Sequence, residues 1–223
     1  MTYYPICLRV AGRPCVVVGG GKVAEQKVAS LLKAGARVTL VSPELTPRLT
    51  ALVAERQIAH HRRPYRSGDL QGAFLAYAAT DSEALHAQIA DDARAAGVLV
   101  NVVDRPALCD FIMPAVVERG DLVIATSTGG ASPALAKRIR HALEDTFGPE
   151  YDVALQLLRR VRARLRGTIP DAAERQRICT ALIDSPLLDY LRDQRADQVD
   201  RLLAATVGDG VSLASLGMEW VSA

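Results

Sequence analysis

Apolar and polar positions follow two different periods up to about residue 148 and a single one beyond it. Cys15-Val16-Val17-Val18 is a short unbroken apolar run rich in β-branched residues, the pattern of a buried strand. Three glycines follow, and a helical pattern then begins at about Val23, with Val23, Lys27, Ser30, Leu31 and Ala34 along one side. Gly35 stands where a C′ glycine ends a helix. Arg37–Val41 reads as a second strand, residues 44–56 as a helix, 58–61 as a third strand and 74–79 as a fourth. Asp81 or Ser82 is placed to cap a helix running to Ala96 that Gly97 closes, and residues 98–103 form a fifth strand. Residues 3–10 add a strand or a sheet edge. Strands alternating with helices in this order predict a parallel sheet with helices on its faces.

Beyond residue 110 the pattern changes. Residues 111–117 and 122–125 have the spacing of a hairpin around Glu118-Arg119-Gly120-Asp121, and an exposed hairpin edge is a natural place for chain pairing. Thr126-Ser127-Thr128-Gly129-Gly130-Ala131-Ser132-Pro133 then leads into a helix ending near Thr146, with Ser132 as N-cap and Pro133 in the first turn. From Pro149 only helical periods remain, over residues 150–166, 171–183, 186–194 and 196–206, punctuated by Gly167, Pro170 and Pro186. The reading is an α/β chain: a Rossmann-type parallel sheet over 1–110, a hairpin and helix over 111–148 as dimerisation element, and a helical domain over 149–223.

Composition narrows the class. With 49% hydrophobic residues in 223, the chain has ample core. A net charge of +2 gives no general affinity for nucleic acid. The four cysteines (Cys7, Cys15, Cys109 and Cys179) are far apart and read as small reduced core residues rather than metal ligands. The first six residues lack a basic-then-apolar signal pattern, and no apolar run approaches the roughly 20 residues of a membrane span. A cytoplasmic protein is expected, with no resident metal and no membrane partner.

Candidate chemistry starts at Gly19-x-Gly21-x-x-Ala24 between a strand and a helix. That context turns a glycine pattern into a dinucleotide site: Gly19 permits the turn, Gly21 lets a pyrophosphate reach the backbone, and Ala24 allows close helix–strand packing. Glu44, slightly beyond the second strand, is either the acid that holds an adenosine ribose or a first-turn helix acid; the ribose role favours NAD over NADP. The adjacent His60 and His61 point to opposite faces of a strand and read as solvent-facing. Asp104 follows the fifth strand at a sheet end where ligands bind; it is also an ordinary residue for the turn before Arg105-Pro106. The loop Thr128 to Pro133 is either an anion cradle or a plain helix start. Arg159, Arg160, Arg162, Arg164 and Arg166 crowd one helix with no acid among them, either as a solvated face or as an attraction for a polyanion.

Five segments in order then carry a family resemblance: Gly19-Gly20-Gly21-Lys22-Val23-Ala24-Glu25-Gln26-Lys27, Ala79-Thr80-Asp81, Asn101-Val102-Val103-Asp104, Phe111-Ile112-Met113-Pro114-Ala115 and Thr128-Gly129-Gly130-Ala131-Ser132-Pro133. They resemble the precorrin-2 dehydrogenase / sirohydrochlorin ferrochelatase family, the N-terminal module of sirohaem synthases, over about residues 4–147. The resemblance implies NAD-dependent oxidation of precorrin-2, a tetrapyrrole with eight carboxylates, to sirohydrochlorin, followed in some members by insertion of Fe2+. It implies a homodimer, Asp104 as the catalytic aspartate, and cofactor contacts at Gly21, Lys22, Val23, Pro43 and Glu44, to which Gly19 and Thr80 are added. Thr128, Gly129, Gly130 and Ser132 become candidates for substrate binding; Thr128 stands where some members carry a serine. Two other readings fit part of the pattern: a non-catalytic NAD-sensing module, and a chelatase without dehydrogenase activity.

Overall fold

The computed structural model describes residues 3–219. It divides into two compact units, 1–113 and 114–223. The first is a five-stranded, all-parallel sheet of β1 (Pro14–Val18), β2 (Arg37–Val41), β3 (Ala59–His61), β4 (Leu75–Ala78) and β5 (Leu99–Val102), in the order β3-β2-β1-β4-β5. Helices α1 (Lys22–Lys33), α2 (Pro47–Ala54) and α3 (Glu83–Ala96) connect the strands.

The unbroken apolar runs follow from burial on both faces. Cys15, Val17, Val38, Leu40, Leu75 and Tyr77 face one core with Ala24, Val28 and Leu31 of α1 and Leu49 of α2. Val16, Val18, Val41, Ala76, Ala78, Val100 and Val102 face the other, against Ile89, Ala90 and Ala93 of α3. The strand order reverses between β1 and β4, so the crevice at their carboxyl ends is the switch point where open α/β sheets bind ligands.

Several local expectations are corrected. The buried stripe of α1 is Ala24, Val28 and Leu31, one position off the expected side, and Val23 is 40% exposed. Helix α2 starts only at Pro47, capped by the Thr46 hydroxyl that accepts from the Leu49 amide. Glu44 therefore lies in a loop and is not a first-turn helix acid. Residues 3–10 form no strand, and Tyr4, Ile6 and Leu8 are exposed. His60 is half-buried, its Nε2 2.9 Å from the Ser42 carbonyl oxygen, while His61 is exposed. Of the two cap candidates for α3, Ser82 is the one that caps it, as expected of the pair. Cys15 is buried, but Cys7 is exposed; all four cysteines are free.

The second unit contains the antiparallel hairpin β6 (Ala115–Arg119) and β7 (Leu122–Thr126) and helices α4 (Pro133–Thr146), α5 (Glu150–Thr168), α6 (Ala172–Ile183), α7 (Leu187–Arg192) and α8 (Ala196–Val207). The hairpin begins at Ala115 rather than residue 111, because Phe111 packs edge-on against Tyr77 of the first unit, ring centroids 5.5 Å apart. The core of this unit is an apolar stripe of α5, with Ala154, Leu157, Val161 and Leu165, surrounded by Leu182, Leu191, Val199 and Leu203. The arginine row on α5 is not uniform. Arg159 pairs with Asp121, and Arg160 donates to the carbonyls of Leu216 and Gly217.

Candidate active site

The glycine turn after β1 is stitched to its surroundings by backbone bonds. Gly19 N–H donates to Val41 O at 2.9 Å, and Thr46 N–H donates to Gly20 O at 3.0 Å. The three glycines meet different demands. Gly19 has φ 121, and a Cβ there would collide with the carbonyl oxygen of Ala79 at the end of β4. A Cβ on Gly20 would collide with the carbonyl oxygen of Glu44. Gly21 adopts an ordinary extended conformation, φ −83 and ψ −172, and a Cβ there would meet no protein atom within 4 Å. Nothing among the described residues requires a glycine at that position; a group lying on the backbone would.

Gly21 is also the N-cap of α1, and no side chain caps that helix end, whereas Thr46 and Ser82 cap α2 and α3. The amides of the first turn point outward with the positive end of the helix dipole, the arrangement that receives phosphates. An open cleft of about 710 Å³ lies over this turn. All the proposed cofactor contacts line it: Gly19, Gly21, Lys22 and Val23 from the turn, Pro43 and Glu44 after β2, and Thr80 after β4. The residues present thus fit a dinucleotide.

Three supports of the cleft carry no motif in the sequence. The Thr46 hydroxyl donates to Glu25 Oε2 at 2.7 Å, tying the start of α2 to the first turn of α1. Buried His86 lies with Nε2 2.7 Å from Thr80 O. A carbonyl can only accept, so Nε2 carries a proton and fixes the Thr80 backbone; Nδ1 is buried with no partner among the described residues. Tyr65, at the cleft wall, donates its hydroxyl to Asp92 at 2.8 Å. Burial first, then that bond and the nearby carboxylates, push its pKa far up, so Tyr65 stays neutral.

Asp104 is not among the cleft-lining residues. It follows β5, exposed, with φ 58, a left-handed conformation that aspartate tolerates better than most residues. It makes no hydrogen bond or ion pair among the described residues. The segment beside it is firmly held: Asn101 Nδ2 donates to Phe111 O at 2.9 Å, and the Val100 amide donates to Asp110 Oδ2 at 2.9 Å. The Tyr77 hydroxyl contacts Met113 Sδ at 3.2 Å. Burial, helped by Cys15, pushes the Tyr77 pKa up to about 12.

In the second unit, Thr128 Oγ1 donates to Ser132 O and accepts from Ser132 N, both at 3.1 Å. Gly129 and Gly130 have φ 63 and 90, and the Ser132 hydroxyl accepts from Leu135 N–H as N-cap of α4. These bonds close the loop into one structure with its glycine face exposed.

A family described as "Putative NAD(P)-binding" matches residues 6–115, and one described as "Sirohaem biosynthesis protein central" matches residues 119–146. Relatives named siroheme synthase include one from Thioalkalivibrio sulfidiphilus, 36% identical over 98% of this chain and 45% of its own length. Another, from Pseudomonas fluorescens, is 39% identical over 93% of this chain and 45% of its own length. The solved structure of SirC, a precorrin-2 dehydrogenase, is 27% identical and superposes with a TM-score of 0.74, covering 90% of this chain and 98% of that one. The chain belongs to the sirohaem synthase / precorrin-2 dehydrogenase family. It spans about 45% of the length of the siroheme synthases named above. The boundary between the two family matches falls in β6, close to the division between the two compact units.

Within that family frame, the NAD(P)-binding match covers the first unit, in which the open cleft lies over the glycine turn. Among the described residues, no three His, Cys, Asp or Glu side chains come together to hold a metal ion. Among the described residues, no helix is long and apolar enough to cross a membrane.

Proposed function

We propose that this chain oxidises precorrin-2 to sirohydrochlorin with NAD+ as the acceptor, in sirohaem biosynthesis. The observation that carries this reading is Gly21: a glycine no protein contact requires, at an uncapped helix start, over an open cleft. Bound there, NAD+ supplies the hydride acceptor at its nicotinamide ring. The amides of Lys22 and Val23 hold the pyrophosphate, and Pro43 and Thr80 wall the cleft. Glu44, exposed at the cleft edge with its backbone held by Ser42 Oγ at 2.7 Å, accepts hydrogen bonds from the adenosine ribose. A carboxylate there would repel a ribose phosphate, which favours NAD over NADP.

Oxidation removes two electrons and two protons from precorrin-2. One proton leaves with the electron pair as hydride, and the second goes to a base. Asp104 is that base: an exposed carboxylate with no partner among the described residues, held at the carboxyl end of β5. Thr128, Gly129, Gly130 and Ser132 contribute polar contacts to the tetrapyrrole. Fe2+ is a further substrate: the sirohydrochlorin nitrogens would be its ligands, and Asp104 would take the displaced pyrrole protons. The working form is a homodimer in the cytoplasm.

The test is anaerobic incubation of the purified protein with precorrin-2 and NAD+, without metal. Growth of the NADH band together with the sirohydrochlorin spectrum supports the reading. Folded protein that yields no NADH above background overturns it. NADP+ in a parallel cuvette is expected to react at least tenfold less efficiently, and Fe2+ added at the end reads out chelation.

A further inference from the structure

Lys27 has no place in the site described so far, yet its position is unusual. It lies on the second turn of α1, beside the buried stripe of Ala24, Val28 and Leu31, and is itself half-buried. Its ammonium stands 5.6 Å from the centroid of the Tyr77 ring, within cation–π range. Phe111 meets the same ring edge-on. Tyr77 is in register with Asn101 on β5, three residues before Asp104. Lys27 therefore sits over an aromatic floor at the β4–β5 side of the sheet, and it is absent from the lining of the dinucleotide cleft.

An ammonium carries three donors. Among the described residues, Lys27 has neither an acceptor within hydrogen-bond distance nor a carboxylate within ion-pair distance. Burial lowers its pKa, while the charge of Asp104 acts the other way, which places the carboxylate near without pairing. A half-buried cation over a ring, with Asp104 and Cys109 near but neither paired to it, is undercompensated, and an incoming anion would complete it. The cofactor phosphates belong to the first turn of α1, a full turn away.

We propose that Lys27 binds a carboxylate of the substrate beside Asp104, on the floor formed by Tyr77 and Phe111. This rests on the proposed function, which makes the substrate a polycarboxylate. Lys27 then acts as a substrate-orienting contact, placing the ring to be oxidised against the proton acceptor.

The test compares Lys27→Met and Lys27→Arg in the wild-type and Asp104→Asn backgrounds. Equilibrium binding of sirohydrochlorin and of NAD+ is measured in each, and the KM for precorrin-2 in the Asp104 proteins. Lys27→Met is expected to weaken sirohydrochlorin binding and raise the KM by about 10- to 100-fold, the worth of one charge-assisted hydrogen bond. NAD+ affinity should change less than twofold, which also reports an intact fold, and Lys27→Arg should recover most of the loss. The loss should persist in the Asp104→Asn background. Unchanged binding, or a loss seen only when Asp104 is present, overturns the proposal, because Lys27 would then be structural or act through Asp104. If the wild-type protein itself binds NAD+ but neither binds sirohydrochlorin nor oxidises precorrin-2, the proposed function fails and this contact falls with it.

Discussion

At Gly21 a methyl group meets no protein atom, while at Gly20 it meets the backbone of Glu44 and at Gly19 that of Ala79. Alanine substitution therefore separates two effects. Gly21→Ala should leave stability within about 0.5 kcal/mol and weaken NAD+ binding by about tenfold or more, measured by thermal melting beside calorimetric titration. Gly20→Ala should cost about 1–3 kcal/mol as an overpacked contact, with cofactor binding lost as the β2–α2 loop shifts. Equal stability of the two variants would contradict the assignment. The glycine spacing is legible because the Gly19-x-Gly21 pattern sits between a strand and a helix. The demand on Gly20 is not, because it comes from a carbonyl far along the chain. Asp104 is the converse case. Its sequence neighbourhood suits a plain turn, and its φ of 58 agrees with a turn as well as with a site. Asp104→Asn keeps a residue that tolerates this conformation, so it should fold like the wild type and bind NAD+ while losing at least 100-fold in precorrin-2 turnover. Retained turnover in Asp104→Asn would remove Asp104 as the base.

Strands and helices are legible at the level of elements because the apolar runs of β1, β2, β4 and β5 are buried on both faces and because Thr46, Ser82, Ser132 or Asp171 starts, or Gly35, Gly97 or Gly208 follows, most of the helices. Misjudged details lie where tertiary contacts outvote local pattern. Val23 looks like a core residue but faces out, because Ala24 is the side chain small enough to let α1 lie close to β1. The start of α2 moved to Pro47 because Thr46 has two partners, the Leu49 amide and the Glu25 carboxylate. The segment between β3 and β4 has no strand or helix period, yet it is well anchored. Arg63 donates to both carboxylate oxygens of Asp69, at 2.8 and 2.6 Å, and Asp69 also accepts from the Arg66 amide. The Arg63 guanidinium, above all, holds the Asp69 pKa below its usual value. A carboxyl depressed in the folded state stabilises it above the unfolded pKa of about 3.9, and that stability is lost as pH falls through the folded value. Arg63→Gln is therefore expected to lower stability from neutral pH upward and to shift acid unfolding to higher pH in a circular-dichroism titration, the difference from the wild type shrinking as pH falls through the folded Asp69 value. An unchanged acid midpoint would show the pair to be energetically silent.

For the whole molecule, the chain forms two units with separate cores. The second contains elements that are poorly buried for their size. A two-stranded hairpin is marginal by itself, and Val117 is the buried residue of β6. Over 14 residues, α4 buries only Ala136. Meanwhile Val123, Leu135 and Ile139 are 53%, 50% and 36% exposed on these same elements. Apolar side chains of this kind on an underburied hairpin and helix fit a symmetric contact with a second copy, in which the same face serves both partners. The Thr128–Ser132 loop joins β7 directly to α4, so an interface on either element also fixes this candidate substrate loop. Sedimentation should accordingly show a dimer at micromolar concentration, and Val123→Lys with Ile139→Asp should give a monomer. That monomer should bind NAD+ as tightly as the wild type, because the glycine turn lies wholly in the first unit. Its kcat/KM for precorrin-2 should fall more than tenfold. A monomeric wild type, or a double variant that stays dimeric, would place the exposed apolar residues in some other role. A monomer with full turnover would detach the substrate loop from the interface and leave tetrapyrrole binding to the residues around Asp104 and Lys27.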